Sequence, residues 1–257
     1  MRIASAARGL LEDGAPVFRA DDEALLRGAA AFETLRVYAG RPFLLAEHVA
    51  RLQASIAALA LDPVEGSEVQ ALVDDLLDGA DGVLRLYRTS HDLVATLTAL
   101  PPGLEEERAR GLALRTFDLG APALLAGIKA TSYADAFAAR RAAEQAGADD
   151  VLFLAGGIVL EAATANIWWC SGGRLHTPAL AAGVLPGVTR GLVLGLEEVD
   201  EVIADVAELA AADEAFLTSS IREVMPVVAL DDAPIGDGRP GPAAARLQAA
   251  LRLRSVA

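Results

Sequence analysis

The sequence predicts an α/β protein of the α+β kind, with a small N-terminal α/β domain and a larger β-rich C-terminal domain. Three observations predict it. Strand-like and helix-like stretches are mixed, but they show no regular strand–helix–strand rhythm and no GxGxxG. That argues against a dinucleotide-binding fold and against an eight-fold barrel. Between Pro101 and Gly111 the pattern breaks into Pro-Pro-Gly and a Glu-Glu-Glu-Arg run, the composition of a linker. A length of 257 residues suits one large or two medium domains. The expected boundaries are a small domain over 1–104, a solvated linker over 105–111 and a large domain over 112–257.

In the first domain, AAFETLRVYAGRPFLL (30–45) reads as two strands about a turn at Ala39-Gly40. The segment 46–61 places Val49, Leu52, Ile56 and Leu59 at helical spacing. VQALVDDLL continues as a second helix, and GVLRLYRTS and LVATLTALP follow as paired strands. In the second domain GLALRTFDL is strand-like, and YADAFAARRAAEQAG is an amphipathic helix ending at Gly147. DDVLFLAGGIVLEAATANIWWCSGGRLHTP is a meander with turns at Gly156-Gly157 and Gly172-Gly173. PGVTRGLVLGL opens a short helix, EVDEVIADV is strand-like, and EAFLTSSIREVMPVVAL holds two more strands.

Composition narrows the function. Hydrophobic residues make up 53% of the chain, ample for a core. The single Cys170 excludes an intramolecular disulfide and any CxxC metal site; beside Trp168 and Trp169 it reads as a buried apolar residue. No metal site is expected. No apolar run is long enough for a membrane helix, and the N-terminus leads into no signal-peptide core. A soluble cytoplasmic protein with no membrane partner is therefore expected. The net charge of −14 argues against nucleic acid and requires that an anionic ligand find a locally positive pocket.

One residue stands out. Of the 22 basic residues, Lys129 is the only lysine. GC-rich coding replaces surface lysine with arginine, which explains the scarcity but not the survivor. Arginine serves in most ion pairs, but not where a neutral, nucleophilic amine is required. If Lys129 holds pyridoxal 5'-phosphate as a Schiff base, a carboxylate should face the pyridine nitrogen. The phosphate should find amides, hydroxyls and an arginine, and substrate carboxylates need cations. Glu161, in VLEAATANIWW, is a candidate carboxylate; the alternative is an exposed turn glutamate. LPGVTRG (185–191) offers the amides of Gly187 and Val188 and the Thr189 hydroxyl, LTSS (217–220) offers further hydroxyls, and Arg51 adds charge. Ordinary capping and solvation are the alternatives for each taken singly.

Together these segments resemble the class IV, fold-type IV pyridoxal-phosphate enzymes: D-amino-acid and branched-chain transaminases and aminodeoxychorismate lyase. FETLRVYAGRPFLLAEHVARL (32–52) is similar to the family's opening segment, AGIK to its Schiff-base lysine segment, LEAATAN to its Glu-x4-Asn segment, LPGVTR to its phosphate loop and LTSSIREVMPV to its second phosphate-side strand. The resemblance covers about residues 25 to 230, in order. It implies two α/β domains with the cofactor in the cleft, and a homodimer. It implies that Lys129 carries the cofactor and moves the proton at Cα, and that Glu161 pairs with the pyridinium, in a segment completed by Asn166. Arg51, Gly187, Val188, Thr189, Thr218 and Ser219 would hold the phosphate. Tyr133 either reaches the cofactor's phenolic oxygen or packs on the core.

The chain departs from the family's commoner aromatic-Gly-Asp-Gly pattern, with Arg27 at the aromatic position and Ala29 at the Asp. A cation there resembles an unusual group of D-amino-acid transaminases that use it for the substrate α-carboxylate; the alternative is an ion pair with Asp21 or Asp22. Arg88 aligns with the carboxylate-binding arginine of the more usual D-amino-acid enzymes, and Arg36 is a third candidate. The implied reaction is transamination between an amino acid, expected to be of D configuration, and a 2-oxo acid such as 2-oxoglutarate. The alternatives are release of pyruvate and 4-aminobenzoate from aminodeoxychorismate, a branched-chain L-amino-acid transaminase, and a scaffold that binds the cofactor without turnover.

Overall fold

Strand periodicity in the first hundred residues resolves into one antiparallel sheet. The structure, a computed structural model, describes residues 1–77, 79 and 81–255. The chain divides into two units: Met1–Pro101 with Ile128–Tyr133, and Pro102–Gly127 with the residues from Ala134 onward.

The first unit runs β1 (Arg2–Ser5), β2 (Gly9–Leu11), α1 (Glu23–Arg27), β3 (Ala31–Tyr38), β4 (Arg41–Pro42), α2 (Leu45–Ala58), α3 (Gly66–Asp74), β5 (Gly82–Arg88) and β6 (Leu93–Thr98). Its six strands lie in the order β2-β1-β6-β5-β3-β4. Strand alternation sorts the two faces. Ala31, Leu35 and Val37 of β3 join Leu84 and Leu86 of β5 in a core with Leu52 and Ile56 of α2 and Val69, Leu72 and Val73 of α3. Full burial of a leucine or isoleucine side chain contributes roughly 1.5–3 kcal/mol, so this row sets the register of the sheet. The opposite row of β3 is Phe32, Thr34, Arg36 and Tyr38, beside Tyr87 and Arg85 of β5. The expected hairpin forms: Ala39 and Gly40 have φ of 46° and 75°, a two-residue turn with both residues left-handed. A Cβ at position 40 would lie 2.6 Å from the Gly79 Cα, so glycine is required there.

The second unit runs α4 (Leu104–Arg110), β7 (Leu112–Asp118), α5 (Ala134–Gln145), β8 (Asp150–Ala155), β9 (Ile158–Ala162), β10 (Ala165–Ser171), β11 (Arg174–Pro178), α6 (Val188–Leu194), β12 (Val199–Val202), α7 (Val206–Ala210), β13 (Glu214–Ser219), β14 (Glu223–Leu230), β15 (Ala233–Pro234) and α8 (Pro242–Ser255). Its sheet follows β12-β11-β10-β13-β14-β7-β8-β9, and β9 also pairs with β10, so six of the strands close on themselves. Closure leaves those six strands no open edge. The enclosed core includes Leu112, Leu114, Leu152, Ile167, Trp169, Leu217, Met225 and Val227.

Three details differ from the sequence reading. The stretch 105–111, expected as a solvated linker, is helical: Leu104–Arg110 forms α4. Its acidic first turn and basic last turn complement the helix dipole. Arg108 leaves solvent to donate to the Arg222 and Val224 carbonyls and to Glu223. Within the strand-like stretch 198–206, α7 begins at Val206, capped by Asp205, which accepts from the Ala207 and Glu208 amides. Cys170 is half-buried; burial and the nearby Glu214 push its thiol up to about 11, which leaves it protonated and unreactive at neutral pH. Among the described residues no helix is long and apolar enough to cross a membrane.

Candidate active site

The sole lysine sits on a segment that returns to the first unit and lines the free edge of β3. Phe32 N–H donates to the Lys129 carbonyl at 3.0 Å and Thr131 N–H to the Ala30 carbonyl at 2.9 Å, a bridge that sets Ala130 opposite Ala31. Lys129 therefore stands across from Phe32, on the same face. Its Nζ is 4.4 Å from the centre of the Phe32 ring and 5.8 Å from that of Tyr133. Phe32 stacks against Tyr87 at 6.2 Å and meets the Tyr133 ring edge-on at 5.4 Å. Tyr133 thus packs on an aromatic cluster beside the amine. The Lys129 N–H is held by the Ser55 hydroxyl of α2 at 3.1 Å.

The same helix carries Arg51. His48, Arg51 and Ser55 follow at i, i+3 and i+7, one helical face. Arg51 donates from Nε and Nη2 to the two carboxylate oxygens of Glu33, each at 2.7 Å. His48 Nδ1 lies 2.7 Å from Glu33 Oε2, and an ionised carboxylate makes the imidazole the donor. Glu33 belongs to the inward row of β3 and has no exposed side-chain surface. Burial pushes its carboxyl up, but the hydrogen bonds from Arg51 and His48 prevail and hold it at about 2. Burial pushes the His48 imidazole down, against the hydrogen bond to Glu33 and with the help of the Arg51 and Lys129 charges.

In the second unit, Glu161, Asn166 and the distant Thr218 stand in one row. Register places Asn166 of β10 opposite Glu161 of β9 on one side and Thr218 of β13 on the other. Glu161 is half-buried and belongs to a strand, not to a turn. It accepts from Asn166 Nδ2 at 3.0 Å and from Leu185 N–H at 3.1 and 3.2 Å. Asn166 Nδ2 also donates to the Leu185 carbonyl at 2.9 Å. The loop into α6 is thereby tied to the carboxylate. Gly187 closes against this pair: a Cβ there would stand 2.0 Å from Asn166 Oδ1. Helix α6 starts at the N-cap Gly187, which has no side chain to cap it, and opens with Val188 and the buried Thr189. Thr218 is buried and accepts from Trp168 Nε1 at 2.8 Å, leaving its own proton to donate. The Ser219 hydroxyl accepts from Arg222 N–H at 3.2 Å within its own turn.

The three candidate substrate arginines have different surroundings. Arg27 is exposed and pairs with Glu23, one turn back on α1. The two aspartates considered for it are otherwise engaged: Asp21 with Arg19 and Asp22 as the cap of α1. Arg88 lies on the α2 side of its sheet, donating to the Asp62 carbonyl at 2.9 Å with the Asp62 carboxylate 3.5 Å away. Arg36 is largely buried, on the Phe32 row, its guanidinium 4.9 Å from the Tyr38 ring centre. Sequence reasoning missed Arg85, which register puts on that same face and which donates to Thr98. It also missed Glu33, His48 and Ser55. A carboxylate inside an otherwise apolar strand row was the available signal for Glu33.

Taken unit by unit, the residue types fit pyridoxal phosphate: the first unit has an amine and an arginine held by a buried partner, and the second has a half-buried carboxylate oriented by two donors and helix-start amides with hydroxyls in the same stretch. Comparison with known proteins agrees. The amino-transferase class IV family profile matches residues 30–230. The chain is 30% identical over 254 residues to a D-alanine aminotransferase of Bacillus licheniformis, covering 90% of this chain and 89% of that one. It is 27% identical to an aminodeoxychorismate lyase of Bacillus subtilis, covering 93% and 89%. A solved Mycobacterium tuberculosis structure, described as a hypothetical aminotransferase bound to alpha-ketoglutarate and PMP, superposes with a TM-score of 0.92 at 26% identity, covering 100% of this chain and 99% of that one. The chain belongs to the class IV aminotransferases, the pyridoxal-phosphate-dependent enzymes of fold type IV.

Proposed function

We propose that the protein transfers an amino group between a D-amino acid and a 2-oxo acid such as 2-oxoglutarate, with pyridoxal phosphate held by Lys129. The cofactor supplies the electron sink that makes the substrate Cα proton acidic. The chain's own residues do the rest. The Lys129 amine takes and returns that proton, which arginine could not do. Glu161 keeps a proton at the pyridine nitrogen, and Asn166 with the Leu185 amide keeps its carboxylate aimed. Arg51, the amides of Gly187 and Val188, and the hydroxyls of Thr189, Thr218 and Ser219 take the phosphate. Tyr133 serves the phenolic oxygen.

The observation that carries the acceptor class is the pair Arg36 and Arg85. Both share a sheet face with Phe32, whose ring meets the Lys129 amine. Two cations on that face suit a dicarboxylate. Similarity to a D-alanine aminotransferase supports the D configuration, and the alpha-ketoglutarate of the Mycobacterium structure supports the acceptor. Arg27 is kept as an α-carboxylate ligand because its exposed pair with Glu23 is cheap to release. Arg88 would have to leave Asp62 before it could take a substrate carboxylate.

A panel of D- and L-amino acids with 2-oxoglutarate, followed by glutamate formation, tests this reading. Turnover confined to branched-chain L-amino acids overturns the D assignment. The second reading, aminodeoxychorismate lyase, is favoured by the Bacillus subtilis relative; pyruvate released from aminodeoxychorismate with no amino acceptor would establish it. We read the assembly as a cytoplasmic homodimer. Exposed Phe117, Leu119, Leu124, Leu125 and Phe137 of the second unit are apolar surface of the kind that a second copy covers. Light scattering of the purified protein decides the stoichiometry.

A further inference from the structure

Glu33 presents a puzzle that stability does not answer. It stands in a row of buried apolar residues, Ala31, Leu35 and Val37 on its own strand with Leu52 nearby. An ion pair at such a position is generally no more stabilising than well-packed apolar side chains of similar volume. A charged residue kept there asks for another reason.

Its geometry supplies one. The carboxylate takes the side-on edge of Arg51, Nε together with Nη2. That fork fixes both the plane and the direction of the guanidinium, and turns its end-on edge, Nη1 with the second hydrogen of Nη2, away from Glu33. His48, one turn back on α2, holds Oε2 from the other side, so the carboxylate cannot swing to follow the arginine. A long, flexible side chain is thereby ordered before any anion arrives, and ordering done in advance is not charged against binding. We propose that Glu33 is a positioning residue for the anion-binding edge of Arg51, with His48 as its brace. This rests on the reading of Arg51 as a ligand of the cofactor phosphate.

The proposal has a sign that simple electrostatics does not share. Glu33 is an anion beside a site for an anion. If it acted only through its charge, removing that charge would strengthen phosphate binding. If it positions Arg51, removing it weakens binding, because the side-chain amide in Glu33→Gln offers one acceptor oxygen in place of two.

The test is an absorbance titration of cofactor-free protein with pyridoxal phosphate and, separately, with pyridoxal, which lacks the phosphate. Glu33→Gln should weaken pyridoxal phosphate about tenfold, the effect of one charge-assisted hydrogen bond, and leave pyridoxal unchanged. His48→Ala should shift the same ratio in the same direction by less, and it carries the test if Glu33→Gln does not fold. In Arg51→Met, adding Glu33→Gln should produce no further loss of the ratio, because Glu33 acts only through Arg51. Tighter pyridoxal phosphate binding in Glu33→Gln, or equal losses for both ligands, overturns the proposal. A different result, Arg51→Met with no phosphate-selective loss, removes Arg51 from the phosphate site and sinks the underlying reading instead.

Discussion

Two buried glutamates, one in each unit, use the same chemistry to different ends. Glu33 meets one arginine and one histidine, and its fork leaves the far edge of Arg51 directed elsewhere. Glu223 is surrounded. Arg108, Arg252 and Gln248 all donate to its Oε2, at 3.0, 3.0 and 2.6 Å, and Glu105 bonds Arg252 from outside. Glu223 also sits at φ 57°, a left-handed conformation that a glutamate adopts at some cost. Its partners come from α4 and α8, and the cluster fastens both helices to β14. A carboxylate whose donors tie two helices to a strand is a latch. A carboxylate that forks one edge of an arginine and leaves the other directed away from itself is, on the proposal above, a support for binding.

The largest effects should fall on the residues that carry chemistry. Lys129→Ala should abolish the visible absorbance of the bound cofactor and all turnover, with the melting temperature of cofactor-free protein nearly unchanged. No second lysine exists to substitute. Borohydride reduction of the wild type should label the peptide containing Lys129; a label on the N-terminal amine alone removes the assignment. Glu161→Gln should keep the absorbance but slow the half-reaction with an amino donor by orders of magnitude, because a neutral amide does not hold the ring nitrogen protonated. Near-normal single-turnover rates would make Glu161 a latch like Glu223.

Next comes the latch itself. Glu223→Ala takes from Arg108 its buried carboxylate and leaves it only the exposed Glu105; breaking a buried pair typically costs about 3–5 kcal/mol. Denaturant unfolding should show that loss. The ratio of pyridoxal phosphate to pyridoxal affinity should stay at the wild-type value, and a changed ratio breaks the contrast with Glu33.

Acid should separate the two members of the Glu33 pair. The His48 imidazole is depressed in the folded protein, so as pH falls below about 6.5, its unfolded value, the unfolded chain takes up a proton that the native state refuses, and stability declines. Glu33, held at about 2, contributes stability that is present above its unfolded value of about 4.3 and is lost as pH falls from there through about 2. Unfolding free energy measured against pH should show both declines in the wild type. His48→Asn, which keeps a donor but does not titrate, should lack the upper one; an unchanged profile between pH 7 and 5 would mean that His48 is not kept neutral.

The smallest effects concern the substrate arginines. Loss of one charge-assisted contact in Arg36→Gln or Arg85→Gln, roughly 1.5–3 kcal/mol, should lower turnover with 2-oxoglutarate about ten- to a hundredfold and spare a monocarboxylate acceptor more. Arg27→Ala should cost less, because its surface pair with Glu23 is nearly neutral in energy and its guanidinium must first move. Equal losses with both acceptors in Arg36→Gln and Arg85→Gln would rule out reading of the second carboxylate.

By itself the sequence determined whatever is local. The positive-φ pair Ala39-Gly40, the helical spacing of Val49, Leu52 and Ile56, the glycine pairs of the meander and the singular Lys129 can all be read within a few residues, because turn chemistry, periodicity and amine chemistry act over that range. The resemblance of five ordered segments named the family and supplied most of the candidate site residues. Tertiary structure alone decided what depends on register and on distant partners. Nothing local says that β9 closes onto β10, or that a Glu-Glu-Glu-Arg run folds into α4, because Arg108 finds its partners on β14, more than a hundred residues away. Nothing local sorts the arginines either. Strand register sends Arg88 toward Asp62 and α2 and puts Arg85 on the face of Phe32, since successive side chains on a strand point to opposite sides. Glu33 was hidden for the same reason. Its role is set by His48 and Arg51 on a helix fifteen and eighteen residues on, and only the packing of that helix against β3 brings the three together.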